Sequence, residues 1–338
     1  MQKAAVLEKL NEFPKTKEVE EESPGKDEVI IEQGMTGICY RDILTMEGYF
    51  PRVILPIIPG HEISGRIKEV GENVTKFKKD DRVASLIYVP CGKCEFCLSG
   101  RENLCRSKKV FGEELQGAYR KYVKVPEISL VKVPSKVTTE AATIAACVTG
   151  MVVQALGIAG HLIEGETVLI TGAGGGVGSH AVQVAKALGA TVIGETSSEW
   201  KREKILEVGA DHVVSGKDFH NKVKEITNGN GVNLVLETVG VPTFSDSFRS
   251  LSYGGRIVVI GNVNVGALQV PAGNLILKGN SVTGSISSTK KSLRKALRLS
   301  SEGKVKAIVG GTFTLDKVGD AYTAMKNKEL FGRAFLKL

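Results

Sequence analysis

The sequence has no apolar run approaching the roughly 18 residues that a membrane-spanning helix requires. Its first residues, Met1 to Leu10, mix lysine and glutamate with apolar side chains and contain no secretory hydrophobic core, so the expected compartment is the cytoplasm. Aromatic residues are scarce, 6 % with a single tryptophan, and no block of arginine and lysine interleaves with them. Nucleic acid is therefore not an expected partner despite a formal net charge of +8, because 45 basic residues are dispersed among 37 acidic ones. A phosphate-bearing small molecule suits that charge better. Internal repeats and low-complexity tracts are absent too. At 338 residues, 42 % hydrophobic and 24 % charged, the chain has the composition of a globular protein and the length of two domains. Cysteine is sparse and unevenly placed: four of six lie between positions 91 and 105. In a long intracellular chain, clustered thiols read as metal ligands before they read as disulfides.

Two patterns divide the sequence. Up to about Val125, short alternating or apolar runs (Glu28 to Glu32, Gly65 to Val70, Asp81 to Tyr88) are separated by Gly, Pro and Asn turns such as Pro24 to Asp27. They predict a partly open antiparallel barrel. Near Thr138 the pattern changes. Helices are expected at Thr139 to Ala146 and Thr149 to Leu156, followed by a regular β-α alternation with strands at Thr167 to Thr171, Thr191 to Gly194, His212 to Val214, Asn233 to Leu236 and Arg256 to Ile260. Helices are expected between them at Gly178 to Leu188, Glu199 to Val208 and Thr243 to Leu251. Continuous apolar strands at this spacing are those of βαβ units in a parallel sheet. A last helix, Lys290 to Glu302, sets Leu293, Ala296, Leu297 and Ser300 against a basic face of Lys291, Arg294, Lys295 and Arg298, read first as a solvated surface. Gly311 to Leu338 returns to strand-like runs that could rejoin the first region.

The loop Gly172-Ala-Gly174-Gly175-Gly176-Val177-Gly178 joins an apolar strand to a helix. Glycines in that context let the backbone approach a pyrophosphate at the helix N-terminus. An acid ending the second strand would grip a ribose 2′-hydroxyl and favour NAD(H). In the usual register that place falls on Thr196, followed by Ser197 and, further on, Lys201 and Arg202, which suits a 2′-phosphate and hence NADP(H). Glu195 leaves the alternative open, since a shift of one residue would put it on the ribose. Gly240 and Gly261, following later strands, are further cofactor-side candidates.

Two metal sites can be read. Cys91, Cys94, Cys97 and Cys105, spaced C-x2-C-x2-C-x7-C, can wrap one tetrahedral zinc; four thiolates leave no open position, so that site is structural. Cys39, His61 with its neighbour Glu62, and Cys147 could form a second, in which two Cys and one His leave a position for water or substrate. Taken singly, each equally fits a core thiol or a satisfied polar group.

Those residues, with Glu69-Val-Gly71, the glycine loop and Glu237-Thr-Val-Gly240, resemble the zinc-containing branch of the medium-chain dehydrogenase/reductase superfamily essentially end to end. The resemblance implies an α/β fold: a GroES-like, mainly β catalytic domain from residues 1–149 and 287–338, and a Rossmann domain, with a doubly wound parallel sheet, from 150–286. It also implies Cys39, His61 and Cys147 as catalytic zinc ligands, Glu62 as a carboxylate able to enter the coordination shell, and a homodimer or homotetramer, paired through strand edges near Val282 to Ile286. Alcohol dehydrogenases of the branch carry a proton-relaying Ser or Thr two residues after the first zinc cysteine. Here Arg41 stands there, and Leu44 takes the place of a histidine found in some members. Without that hydroxyl, acid–base help to an alcohol is lost. The Cys39-Tyr-Arg-Asp run, Gly48 to Arg52, Phe111 to Leu115, Cys147 to Met151 and Ser287 to Lys291 are instead similar to archaeal acryloyl-CoA reductases, which reduce a C=C bond conjugated to a thioester with NADPH. Tyr40 is then a candidate proton donor, and Arg41, Arg52 and the basic helix are candidate CoA contacts. A zinc alcohol or aldehyde oxidoreductase and a non-catalytic NADPH sensor are the competing expectations.

Overall fold

The computed structural model describes residues 1–338. Six parallel strands form one sheet in the order His212–Val214, Thr191–Glu195, Thr167–Ile170, Val232–Glu237, Leu251–Val259, Ser281–Gly284. Strand order reverses beside Thr167–Ile170, the switch point at which doubly wound sheets bind ligands. The apolar runs follow from burial on both faces, because successive side chains leave a strand in opposite directions. Val168 and Ile170 pack with Ala181, Val182 and Val184 of the helix Gly178–Ala187. Leu169, Ile193 and Val235 face the other layer, with Phe219, Phe244 and Phe248.

The N-terminal region forms an antiparallel five-stranded sheet, ordered Leu130–Lys132, Arg82–Ser85, Ser64–Val70, Glu28–Glu32, Tyr122–Pro126. The C-terminal strand Arg333–Lys337 lies between Val309–Thr314 and Met35–Ile38, with Ala334 opposite Ile38. The end of the chain is thereby stitched beside Cys39. No helix is long and apolar enough to cross a membrane.

The helix Lys290–Ser301 begins at Thr289, whose hydroxyl accepts from the Ser292 amide, a cap of the kind that contributes about 1 kcal/mol. It buries Leu293, Ala296, Leu297 and Leu299 and exposes Lys291, Arg294 and Arg298. Several elements differ from expectation. Tyr40–Met46, Phe219–Ile226 and Ala272–Lys278 are helices that the pattern did not single out, and Leu251–Val259 starts five residues before the expected strand. Between its two strands, the C-terminal segment folds as a helix, Val318–Lys326, burying Val318, Ala321 and Tyr322 at the i, i+3, i+4 spacing. Flanking β-branched and aromatic runs mask that short helical period.

Candidate active site

Cys39 follows the strand Met35–Ile38 and serves as N-cap of the helix Tyr40–Met46. Its amide donates to the Asp42 carboxylate at 2.8 Å, which fixes the first helical turn. His61 follows Gly60, whose φ of 89° and contact with the Tyr119 ring leave no room for a Cβ. Cys147 sits in a π-helical turn, Ala145–Gly150, a widened geometry common at functional sites. These three segments converge. His61 Nε2 is 3.2 Å from Cys147 Sγ, and Cys147 Sγ is 3.8 Å from Cys39 Sγ. Together with a Glu62 carboxylate oxygen, the donor atoms lie within 4.8 Å of one another.

The surroundings hold that geometry. Asp42 also accepts from Tyr119 at 2.9 Å and pairs with His61 Nδ1 at 3.0 Å, which turns Nε2 toward the sulfurs. A carboxylate behind a ligating histidine is the usual second partner of a metal site. Burial opposes charge on His61, but the charge and hydrogen bond of Asp42, with Cys39, push its pKa up to about 10. Glu62 is fully buried and paired through both oxygens with Arg333, whose Nη2 also lies 3.8 Å from Cys147 Sγ. The Cys147 hydrogen bond, with Arg333 and His61, holds the Cys39 thiol well below its usual pKa despite burial. Gly37 is required here, because a Cβ would overlap the Glu62 carboxylate. Two soft thiols and an oriented imidazole form a three-donor set that fits zinc with a position left over, and the buried Glu62 carboxylate lies beside it.

Arg41 and Tyr40 leave this cluster. Arg41 Nε donates to Glu113 at 2.5 Å, and its guanidinium lies 4.3 Å from the centre of the Phe50 ring. Tyr40 packs against the apolar cluster containing Val318 and Tyr322, with Glu47 and Lys326 as its charged neighbours. Its phenol is thus turned toward the Val318–Lys326 helix, and the proton-donor role expected for it is not supported by its placement.

Cys91, Cys94, Cys97 and Cys105 form a compact second cluster of free thiols. Cys91 and Cys97 are 3.9 Å apart, and Cys94 and Cys97 3.5 Å. Backbone amides of Lys93 and Cys94 draw the Cys91 pKa down to about 6, the environment of a thiolate; burial pushes that of Cys97 up to about 12. Four sulfurs from one loop fit a closed tetrahedral zinc.

The glycine loop sits at the sheet's switch point. A Cβ on Gly178 would meet the Gly172 carbonyl at 2.2 Å, and one on Gly174 the Lys201 side chain at 2.6 Å. A Cβ on Gly176 would meet the Arg333 side chain at 3.0 Å, the Gly175 amide donates to the Gly172 carbonyl, and Val177 caps the helix. Gly261 crosses the Thr238 backbone so closely that no side chain fits, and Gly240 has a φ of 99° beside it. Between these loops, Glu237 accepts from Thr171, Thr243 and Ser247 hydroxyls and from the Val239 and Gly240 amides.

At the end of the second strand, Glu195 turns inward and accepts from the Gly172 amide at 3.0 Å; burial pushes its pKa up to about 7. Thr196 accepts from the Ser198 amide, and Ser197 from Lys328 Nζ at 3.1 Å. Lys201 is tied to the Leu330 carbonyl, and burial, with Lys328, draws its pKa down to about 8. Sequence reasoning missed Asp42, Glu113, Glu237, Lys328 and Arg333. Asp42 carried a signal, lying three residues after Cys39 at the capping-box position; the last two depend on pairings far along the chain.

Comparison with known proteins places this arrangement. Residues 25–135 match the alcohol dehydrogenase GroES-like domain family, and residues 176–302 the zinc-binding dehydrogenase family. The chain is 44 % identical over 336 residues to the acryloyl-coenzyme A reductase of Sulfurisphaera tokodaii, covering 99 % of each chain. It is 35 % identical over 340 residues to an alcohol dehydrogenase of Geobacillus stearothermophilus, again over 99 % of each. The crystal structure of AibC is similar at a TM-score of 0.93 and 38 % identity, covering 99 % of this chain and 95 % of that one. On this full-length likeness the chain belongs to the zinc-containing medium-chain dehydrogenase/reductase family of nicotinamide-dependent oxidoreductases.

Proposed function

We propose that the protein uses NADPH to reduce the C=C bond of a short enoyl-CoA such as acryloyl-CoA. The observation that carries the reading is the fate of the residue two after Cys39. Where an alcohol dehydrogenase needs a hydroxyl relay, Arg41 stands and is drawn onto Glu113 and Phe50. The similarity to an acryloyl-coenzyme A reductase supports the same choice. In this reading residues 1–149 and 287–338 act as the catalytic unit and 150–286 as the nucleotide unit.

Cys39, His61 and Cys147 would hold the catalytic zinc, and the four-cysteine lobe a structural one. When bound, NADPH would supply a hydride to the β-carbon and zinc a Lewis acid for the negative charge growing on the thioester oxygen, a proton from solvent on the α-carbon completing the reduction. The chain's own groups prepare that step. Asp42 fixes the His61 ring, and Arg333 offsets the charge of the buried Glu62 carboxylate. The loop from Gly172 to Gly178 offers backbone and a helix N-terminus to a pyrophosphate. Glu195, occupied by the Gly172 amide, is withheld from the ribose, while Thr196 and Ser197, with Lys201 and Lys328 nearby, suit a 2′-phosphate.

NADPH oxidation with acryloyl-CoA, run beside a panel of alcohols and aldehydes, tests the proposal; faster turnover on the panel overturns it. That second reading, a zinc alcohol dehydrogenase, is favoured by the complete Cys39, His61, Cys147 donor set. A homodimer or homotetramer joined through the edge strand Ser281–Gly284 is part of the proposal, supported by the exposed Ile276 and Leu277 nearby. Light scattering of the purified protein checks it, a monomer being the contrary result.

A further inference from the structure

Beside the thiol site lies a group of cations that neither metal cluster requires. Arg41 and Arg52 both point Nε at Glu113, one at each carboxylate oxygen. Glu113 is 2 % exposed, whereas the two arginines are 27 % and 42 % exposed, so each guanidinium is anchored from beneath and open above. The Phe50 ring braces both, at 4.3 and 5.5 Å. Neither arginine's terminal Nη groups have a hydrogen-bond partner in the protein.

A third cation, Lys108, comes from the segment leaving Cys105. Its ammonium is held by the Asn103 carbonyl and lies 5.5 Å from the centre of the Tyr88 ring. Burial lowers its pKa, and the charges of Arg52 and Arg41 lower it further against the opposing Cys105 sulfur. Against them stand Glu113 and, 3.9 Å from Arg52, Glu114, whose same oxygen already accepts from the Val110 amide. Three cations thus face two carboxylates, and the remaining positive charge is one that an added anion can offset. Two braced guanidiniums with free Nη groups offer the fork that phosphate oxygens accept, and a lysine adds a point charge.

We propose that Arg41, Arg52 and Lys108 form a subsite for the phosphate groups of the CoA moiety, with Glu113 as the positioning residue that presents both arginines. This rests on the enoyl-CoA reading and adds where the thioester's carrier is gripped. The cofactor's phosphates have the same chemistry, so the test holds them fixed.

Zinc-replete protein saturated with NADP+ is titrated calorimetrically with CoA, 3′-dephospho-CoA and pantetheine. CoA should bind most tightly and pantetheine least, with the preference fading as salt is raised. Arg52→Gln and Lys108→Gln should each weaken CoA binding by roughly tenfold or more, as loss of a charge-assisted hydrogen bond does, and so collapse the preference over pantetheine. Arg52→Lys should restore part of it. Zinc content and thermal midpoint of each variant report its folding. Absence of CoA binding, wild-type preference in both variants, or variants that weaken NADP+ instead would each overturn the subsite. If CoA binds and both variants weaken it, yet acryloyl-CoA never drives NADPH oxidation, the enoyl reduction fails and the subsite stands.

Discussion

Cys91, Cys94, Cys97 and Cys105 are gathered by one short loop, whereas His61 and Cys147 meet across 86 positions and Cys39 and Cys147 across 108. The lobe needs little beyond itself: its sulfurs are neighbours by loop geometry, and backbone amides favour a thiolate at Cys91. The second cluster depends on everything around it. A strand end, a glycine turn and a π-helical turn each deliver one donor, while Asp42, Arg333 and the missing side chain of Gly37 hold them in place. Closing a short loop costs little conformational entropy, and joining distant segments must be supported by packing. Locally built donor sets therefore suit a fixed, structural ion. Those assembled from afar can leave a position open and place it where two regions of the chain meet.

The comparison breaks first at Cys147. Cys147→Ala should cut turnover by about a thousandfold or more, since Lewis-acid stabilisation accounts for several kcal/mol. Metal analysis should then find one zinc per chain in place of two; an unchanged pair of zincs would contradict the ligand assignment. The mirror experiment is Cys94→Ser. Loss of the lobe's ion should lower the thermal midpoint by roughly 5 °C or more while low-temperature turnover stays within about threefold. Calorimetry and assay together decide this, and turnover as poor as that of Cys147→Ala would give the lobe a chemical role.

Asp42→Asn keeps the shape of the histidine's partner and removes its charge. Activity or zinc affinity of the assembled site should fall about 10–100-fold, with the lobe untouched. Competition with a zinc chelator measures it, and equal weakening of both sites would erase the distinction. The smallest effect concerns the nucleotide loop, built locally like the lobe. Glu195 has a folded pKa near 7, above its ordinary 4.5. Its carboxyl is protonated in both states below pH 4.5; as pH rises toward 7, ionisation favours the unfolded chain, so stability is lost across that window. Glu195→Gln should stabilise cofactor-free protein at pH 8 by the order of 2 kcal/mol and by nothing at pH 4. Denaturant titrations at the two pH values check it, and the same gain at both would remove the buried carboxyl from the explanation.

What could be read from the sequence follows the same division. The four-cysteine spacing and the glycine loop between strand and helix are local patterns, and each carries its meaning in a few consecutive residues. Cys39, His61 and Cys147 fit a site or the core equally until family resemblance tipped the reading, because nothing local says that a π-helical turn will face a strand end. Arg333 was illegible. Its place beside Glu62 and Gly176 follows from the pairing of Arg333–Lys337 with Met35–Ile38, a contact between opposite ends of the chain. Tyr40 makes a related point. Adjacency to Cys39 fixed its position but not its direction, which the Val318–Lys326 helix determines.

That end-to-end pairing also sets a timetable. The four lobe thiols have all emerged from the ribosome soon after residue 105, and they can be gathered on the nascent chain. The pocket around Cys39 lacks its arginine and its neighbouring strand until synthesis has passed residue 337. At roughly 5–20 residues per second, that is a delay of about ten to fifty seconds. During that interval Cys39 and Cys147 lack the arginine and the strand that lie beside them in the folded chain.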